Sequence, residues 1–382
     1  MNSEKKYRIE IAKQLGCSEK DVFLFWKGRV ALFTALKALG VSEGDEVVLQ
    51  AFTCVVVPNA IIYTGATPIY ADVRTDSYNM SLESVKAKVT SKTKVVIIQN
   101  TFGLSSEVEE IVAFCKSKAI FCIEDCTHGF GGTYNGKSNG SLADFAFYST
   151  QWNKPFSTGV GGILRVNNDA FLDEIESLNK HAVKPSSKEG LVLNVLIAAR
   201  RHLLNDATYW VLIRLYRKLT AMKLVVGSSD PEEIEAPKLP KHFLKKSAPV
   251  QCSTGVQALD KLPGVIELRK RNALLIDHFL RSNEKQFVPD EFKENHSFLI
   301  YPILVKNRSD FMLKAENNGL PLGDWFISPI HPVKENFEQW QLMPNDFPNA
   351  LYLSKHILNI PLDKNNAQRY LAFMKENLDQ VL

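Results

Sequence analysis

Short apolar runs alternate with segments of helical periodicity through the first half of the chain. Helical spacing is carried by segments 28–39, 58–63, 82–89 and 106–118. Apolar runs stand between and after them, at 47–49, 68–73, 94–99, 120–123 and 145–148. These runs lack the polar alternation of a strand with one wet face, so they predict strands that are buried on both faces. The pattern therefore predicts an α/β fold with a mainly parallel sheet, whose functional groups lie at the carboxyl ends of its strands.

The pattern changes twice in the second half. Segment 191–224 is apolar at helical spacing and carries arginines at 200, 201, 214 and 217, while segment 228–246 is polar and predicts an irregular crossing. A basic amphipathic helix can lie on a membrane or contact a partner. A helical insertion that packs on the body of the protein, or at a dimer interface, is the favoured interpretation.

From about residue 249 the chain predicts a compact α+β unit. Its expected elements are helices at 250–261, 265–280, 309–318 and 367–378, and a strand at 298–305. The predicted organisation is a large domain at 1–182, an insertion and crossing at 183–248, and a small C-terminal domain at 249–382.

Composition narrows the functional class. The chain has 382 residues, 45% hydrophobic and 23% charged, and its net charge of +4 is too mild to predict nucleic-acid binding. No apolar stretch is long enough to predict a transmembrane helix, and the start of the chain shows no signal segment. Six cysteines without paired metal-ligand spacing predict reduced thiols, no metal site and a cytoplasmic location.

Two residues in the first half predict a specific chemistry. Lys154 follows an apolar strand and precedes Gly159, Gly161 and Gly162, and it lies 29 residues after Asp125, which ends another strand. A lysine that forms a Schiff base and a carboxylate that keeps a pyridine nitrogen protonated require such positions. The pair therefore indicates pyridoxal 5′-phosphate, although a surface lysine and an N-cap aspartate are the ordinary alternatives for each residue alone.

Two smaller residues fit a phosphate site. Gly28 opens a helix, where a missing side chain and free N–H groups allow a phosphate to approach. Ser149 can donate its hydroxyl to the same phosphate.

At this point the chain resembles the DegT/DnrJ/StrS-type sugar aminotransferases, which are fold-type I pyridoxal phosphate enzymes. The resemblance runs from about residue 25 to 170 and returns weakly at 251–271, at His331 and at 347–362. It is carried by an ordered set of motifs: Gly28-Arg29-x-Ala31-Leu32, Gly44-Asp45-Glu46-Val47, Phe52-Thr53, Gly65-Ala66-Thr67-Pro68, Ile123-Glu124-Asp125, Ser149-x4-Lys154 and Gly159-x-Gly161-Gly162.

The resemblance implies a role for each matched residue. Lys154 is the Schiff-base lysine and proton carrier, and Asp125 is the partner of the pyridine nitrogen. His128 stands beside the ring hydroxyl, and Ser149 binds the phosphate. Gly28 and Arg29 form the phosphate-binding turn. His331 is a candidate substrate contact, although a structural loop histidine is the favoured alternative.

The chain departs from the family pattern around the cofactor. Arg29 replaces a small or hydroxyl residue, so its backbone N–H or its guanidinium would serve the phosphate or a substrate charge. Cys54 stands where the family has an aromatic residue that stacks on the pyridine ring, and Thr127 stands where it has alanine. The Asn-x-Arg segment that reaches the partner subunit's phosphate has no clear counterpart, and Lys245 or Lys246 is the candidate replacement.

The resemblance also implies the architecture and the reaction. It implies a seven-stranded, mainly parallel sheet with a smaller C-terminal α+β domain, and a homodimer with shared active sites. The expected reaction moves an amino group from an amino acid, such as glutamate, to a nucleotide-linked keto sugar. The product would enter a polysaccharide, a lipopolysaccharide or a glycosylated metabolite.

Three alternatives stay open: sugar dehydration, amination of a non-sugar carbonyl, and a non-catalytic homologue. Lys154 argues against dehydration, because the dehydrating members of the family have histidine at that position.

Overall fold

One seven-stranded sheet organises the first half of the protein in this computed structural model, which describes residues 2–203, 208–222, 231–294 and 296–382. The strands of the described residues are β1 Val22–Phe25, β2 Glu46–Gln50, β3 Thr53–Cys54, β4 Thr67–Ala71, β5 Thr93–Gln99, β6 Phe121–Asp125, β7 Thr133–Tyr134, β8 Lys137–Ser138, β9 Phe145–Ser149, β10 Gly162–Val166, β11 Ile300–Leu304, β12 Ile330–His331 and β13 Ile357–Pro361.

The sheet has the order β1-β10-β9-β6-β5-β2-β4. Strands β9, β6, β5, β2 and β4 are parallel, while β10 and β1 extend the sheet antiparallel at one edge. The α/β fold with a mainly parallel sheet is therefore confirmed, and the five predicted strands are its parallel members. The register sets Asp125 beside Gln99 of β5 and Phe147 of β9, so Asp125 lies at the carboxyl edge of the sheet.

Helices cover both faces of the sheet and form most of the remaining protein. In the described residues they are α1 Ser3–Leu15, α2 Gly28–Ala38, α3 Val56–Ile62, α4 Leu82–Lys86, α5 Val108–Ser117, α6 Leu172–His181, α7 Ser187–Leu203, α8 Tyr209–Ala221, α9 Pro231–Glu235, α10 Pro249–Ser282, α11 Asp290–Lys293, α12 Arg308–Asn317, α13 Pro348–His356 and α14 Ala367–Glu376.

Alternate residues of the central strands enter different hydrophobic clusters. Val95 and Ile97 of β5 pack in the cluster that contains α2 and α3. Val96 and Ile98 pack in the cluster that contains α5. A strand whose two faces are both covered needs apolar residues at every position, which explains the unbroken apolar runs in the sequence.

The C-terminal part contains a hydrophobic cluster of its own. Strands β11 and β13 pair antiparallel, and Tyr301, Phe311 and Tyr370 are buried beside them. Residues 298 and 299 of the predicted strand precede β11, which begins at Ile300.

Helix α10 corrects the prediction of two helices at 250–261 and 265–280. It is continuous through Pro263. Its first half packs on α1, where Gly255 lies against the Tyr7 ring, and its second half supplies Ile276 and Leu280 to the C-terminal cluster. The side chains buried along both halves stabilise the helix by more than the backbone hydrogen bond that Pro263 removes.

Segment 183–248 contains α7, α8 and α9. The helical stretch predicted at 191–224 corresponds to α7 and α8, and its residues 204–207 and 223–224 lie outside the described part. Residues 228–230 of the predicted crossing also lie outside it. In the described part, no helix combines the length and the apolar character needed to cross a membrane.

Candidate active site

Lys154 lies in a closed loop that follows β9. The Thr150 N–H donates to the Gly161 carbonyl at 3.0 Å, and the Thr158 N–H donates to the Thr150 carbonyl at 2.8 Å. The hydroxyls of Thr150 and Thr158 lie 2.6 Å apart. A side chain at Gly161 would overlap the Thr150 hydroxyl, so this close approach requires glycine. Backbone hydrogen bonds thus join the two ends of the loop that carries Lys154.

The amine of Lys154 lies under an aromatic ring. Its Nζ is 4.5 Å from the centroid of the Trp325 ring. Burial is the largest effect on this amine and lowers its pKa from 10.5 to about 8. The charge of Arg29 lowers the pKa further, while Cys54 and Asp125 oppose the shift. A lysine with this pKa can both hold and release a proton near neutral pH.

Asp125 ends β6 and is buried. Burial raises the pKa of its carboxyl group, while hydrogen bonds from Thr127 and the charge of Lys154 lower it. The Thr127 N–H donates to Oδ1 at 3.0 Å. Asp125 and Lys154 interact electrostatically, so the structure brings the two predicted residues into one site.

His128 is enclosed between aromatic rings. Its ring stacks on Trp325 with centroids 4.8 Å apart and on Phe102 at 6.2 Å. Burial and the nearby charge of Lys154 lower its pKa well below the usual value, so the ring is neutral at neutral pH. The Phe102 N–H donates to Nδ1 at 3.1 Å, which leaves the proton of the neutral ring on Nε2.

Gly28 and Ser149 meet where α2 begins and β9 ends. A Cβ atom on Gly28 would lie 3.0 Å from the Ser149 Cβ and 3.2 Å from the Tyr148 carbonyl oxygen. A side chain at position 28 would force α2 or β9 to shift, so glycine lets the N-terminus of α2 lie this close to Ser149. The structure thus joins the two residues that the sequence predicts for a phosphate site.

Arg29 is buried, and its guanidinium forms an ion pair with Glu233 of α9. A carboxylate of the same chain thus contacts the guanidinium, and its expected contact with a phosphate or a substrate charge stays a prediction. The predicted role of its backbone N–H at the start of α2 is not affected. Lys245 also has a carboxylate partner, Glu189, at 2.6 Å.

Cys54 and His331 lie side by side. Strands β3 and β12 pair parallel, with His331 opposite Cys54. Burial raises the pKa of the Cys54 thiol, and Lys154 and Asp125 are among its electrostatic neighbours. Burial lowers the pKa of His331 to about 4, so this ring too is neutral at neutral pH. Its Nδ1 accepts a hydrogen bond from the Ile327 N–H at 3.3 Å.

Trp325 is the site residue that sequence reasoning missed. It stands in a segment without regular structure, where its backbone N–H donates to the Asn359 Oδ1 at 2.8 Å. The sequence feature that could have identified it is the segment Gly323-Asp324-Trp325, which stands just before the Ser328-Pro329-Ile330-His331 motif. The C-terminal part therefore contributes an aromatic ring over Lys154 as well as His331.

A family comparison agrees with this geometry. The sequence profile of the DegT/DnrJ/EryC1/StrS aminotransferase family matches residues 6–201 and 246–371. The matched ranges include the sheet, the Lys154 loop, Trp325 and His331. They leave out segment 202–245.

Curated relatives align with this chain over stretches of different length. The GDP-perosamine synthase of Escherichia coli O157:H7 is 42% identical over 146 residues, which are 38% of this chain and 40% of that protein. The chain thus matches less than half the length of that relative. The spore coat polysaccharide biosynthesis protein SpsC of Bacillus subtilis (strain 168) is 25% identical over 367 residues, which are 92% of this chain and 81% of that protein.

Solved structures share the fold. The aminotransferase TlmJ from Streptoalloteichus hindustanus superposes with a TM-score of 0.76 at 20% sequence identity, covering 99% of this chain and 91% of that one.

Proposed function

The chain belongs to the DegT/DnrJ/EryC1/StrS aminotransferase family, and on that premise we propose that it transfers an amino group from an amino acid to a keto sugar. The observation that carries the proposal is the electrostatic interaction of Lys154 with Asp125. Asp125 ends β6, and Lys154 follows the neighbouring parallel strand β9. Pyridoxal phosphate, the cofactor class of the family, requires an amine and a carboxylate in one site.

The residues present fit that cofactor. Ser149 and the first turn of α2 would hold its phosphate, and the absent side chain of Gly28 leaves the required room. Asp125 would hold the ring nitrogen, and the Nε2 proton of His128 would be donated to the ring hydroxyl. Trp325 would supply the aromatic contact that the family has at the position of Cys54.

Lys154 is the proposed carrier of the proton. When bound, the cofactor supplies an aromatic ring that accepts the electron pair left on the substrate Cα. The Lys154 Nζ would carry the proton between the substrate Cα and the C4′ atom of the cofactor. A pKa of about 8 suits both directions, since at pH 7 the charged amine exceeds the neutral amine by only about tenfold.

The neighbours of Lys154 would set its protonation and exclude water. The Trp325 ring covers the amine, and a π face attracts an ammonium group. Asp125 favours the ammonium form by charge, whereas burial favours the neutral amine. His128 and His331 stay neutral over the same pH range, so neither competes for the proton.

The substrate class is proposed from the relatives. One relative is named for a GDP-linked amino sugar and another for spore coat polysaccharide biosynthesis. We propose glutamate as the amino donor, a nucleotide-linked keto sugar as the acceptor, and a product used in a surface polysaccharide or glycosylated metabolite. A homodimer with shared active sites is part of the same proposal.

The half-reaction with glutamate tests the proposal. The full chain, reconstituted with pyridoxal phosphate, should convert one equivalent of glutamate to 2-oxoglutarate and lose the absorbance band of the loaded cofactor. A GDP- or UDP-linked keto sugar should restore the band and yield the amino sugar. A protein that consumes the keto sugar without forming an amino sugar would instead be a dehydratase.

The Lys154→Ala variant identifies the residue responsible. Borohydride reduction should fix the cofactor to the peptide that contains Lys154 in the wild-type protein, and to no peptide in the variant. Lys137→Ala, which removes an exposed lysine of β8, is the matched control and should behave as wild type. Full turnover by Lys154→Ala would overturn the assignment.

A further inference from the structure

Helices α7 and α8 both pack on the loop that carries Lys154. Trp152 of that loop donates its Nε1–H to the Tyr216 hydroxyl of α8 at 3.1 Å. Arg200 of α7 lies over the Trp152 ring, 5.4 Å from its centroid. On the same side of α7, Leu193 lies so close to Gly159 that an added Cβ would be 2.7 Å away. These contacts define the inner faces of the two helices.

The outer faces are apolar and exposed. Leu191 and Val195, one turn apart on α7, are 64% and 59% exposed. Val211 and Leu215, one turn apart on α8, are 68% and 49% exposed. Leu203 and Met222 are exposed as well. Large apolar side chains left exposed one turn apart on each of two helices are unusual for a protein that stays free in water, so these outer faces indicate a binding site.

The net charge of the protein is concentrated in the same segment. Residues 187–222 contain six Lys or Arg and two Asp or Glu, a formal +4 that equals the charge of the whole chain. Arg214 and Lys218 share the outer face of α8 with Val211 and Leu215, because residues three and four positions apart lie on one side of a helix. Among the described acidic groups near this face, Glu189 pairs with Lys245 and Glu316 lies 3.3 Å from Arg214.

We propose that the outer faces of α7 and α8 bind the surface of an anionic lipid bilayer. Leu191, Val195, Val211 and Leu215 would enter the boundary between headgroups and acyl chains, and the basic side chains would contact lipid phosphates. With 17 and 13 residues, the helices are shorter than the roughly 20 residues that a span requires, so they would lie in the plane of the surface.

Charge favours a lipid surface over a second copy of the chain. A twofold interface places a patch against itself, so the basic faces of two copies would be brought together. Like charges at an interface oppose association, whereas anionic headgroups attract the same side chains.

Vesicle flotation of the full chain tests the proposal. The protein should float with phosphatidylcholine vesicles that contain about 30% phosphatidylglycerol and remain in solution with pure phosphatidylcholine. Binding should weaken as salt rises from about 0.1 M to about 0.5 M, because the Debye length falls. Equal binding to both vesicle types, or binding to neither, would overturn the proposal.

Two variants separate the apolar and the electrostatic contributions. Val211→Asp with Leu215→Asp, and Arg214→Glu with Lys218→Glu, should each lower the vesicle partition coefficient by about tenfold or more. Leu274→Asp is the matched control, because Leu274 is 58% exposed on α10 and the variant should leave binding unchanged.

Light scattering without lipid completes the test. A Val211→Asp/Leu215→Asp protein of half the wild-type mass would mean that a second copy covers this face, which would overturn the lipid assignment.

Discussion

The candidate active site has two sides that differ in how they are built. The sheet side, formed by Asp125, His128, Ser149 and Lys154, follows the ends of parallel strands β6 and β9. The cover, formed by Trp325 and His331, comes from segment 323–332 of the C-terminal part. The cover is attached through the short β3–β12 pairing and through Asn359. Under the proposed function, the reactive groups stand at the strand ends of the central sheet, while the cover adjusts the environment of the amine.

Loss of a charge on the sheet side should have the largest effect. Asp125→Asn keeps the volume of the side chain and removes the negative charge that would hold the ring nitrogen. The rate of the glutamate half-reaction should fall by about 10²- to 10³-fold in stopped-flow measurements. Asp346→Asn, a change at an exposed carboxylate, should leave the rate unchanged. A wild-type rate in Asp125→Asn would mean that Asp125 is only structural.

Loss of the cover should have a smaller effect. Trp325→Ala removes the ring that lies over Lys154 and should lower kcat by about tenfold, while Trp325→Phe should keep most of the activity. The fluorescence quenching that accompanies cofactor binding should also decrease in Trp325→Phe, because a tryptophan beside the cofactor is lost. Unchanged quenching would place Trp325 away from the cofactor.

An added methyl group at Gly28, on the sheet side, should weaken cofactor binding more than it lowers kcat. Gly28→Ala would place Cβ 3.0 Å from the Ser149 Cβ, so α2 must move away from β9. We expect about a fivefold higher concentration of pyridoxal phosphate for half-saturation, with little change in kcat once the site is loaded. Gly264→Ala, where an added Cβ meets nothing within 4 Å, is the control. An unchanged cofactor affinity in Gly28→Ala would mean that the start of α2 does not form the phosphate site.

The smallest expected effect is a shift of a titration midpoint. In the cofactor-free protein, the modification rate of Lys154 by an amine-selective reagent should rise with pH around a midpoint near 8. Below this pH the amine is mostly charged and unreactive, and above it the neutral form dominates. Trp325→Ala admits water to the amine, so the midpoint should move up toward 10.5. Peptide mass spectrometry measures the rate, and an unshifted midpoint would show that the cover does not bury Lys154.

The sheet side could be predicted from the sequence because it depends on local patterns. Apolar runs placed Asp125 and Ser149 at strand ends, and the structure ends β6 and β9 at these residues. The antiparallel strands β1 and β10 were not predicted, since β10 begins in the glycine cluster that follows Lys154 and reads as a loop.

The cover could not be predicted because distant backbone bonds create it. The N–H groups of Phe52 and Thr53 donate to the Pro329 carbonyl, and the Val55 N–H donates to that of His331. These bonds fix the segment that carries Trp325, and no local pattern contains them. The ion pair of Arg29 and Glu233 joins residues 204 positions apart for the same reason.

Helix α10 has a consequence for dissecting the protein into fragments. Its first half shares a hydrophobic cluster with Tyr7, Ile11 and Leu15 of α1, through Cys252, Leu259 and Leu262. A recombinant fragment that ends at residue 248 would expose this apolar side of α1 to water, and we expect it to aggregate. Complementation between separately expressed pieces would have better prospects with a cut in the turn after Ser282, where the helix ends.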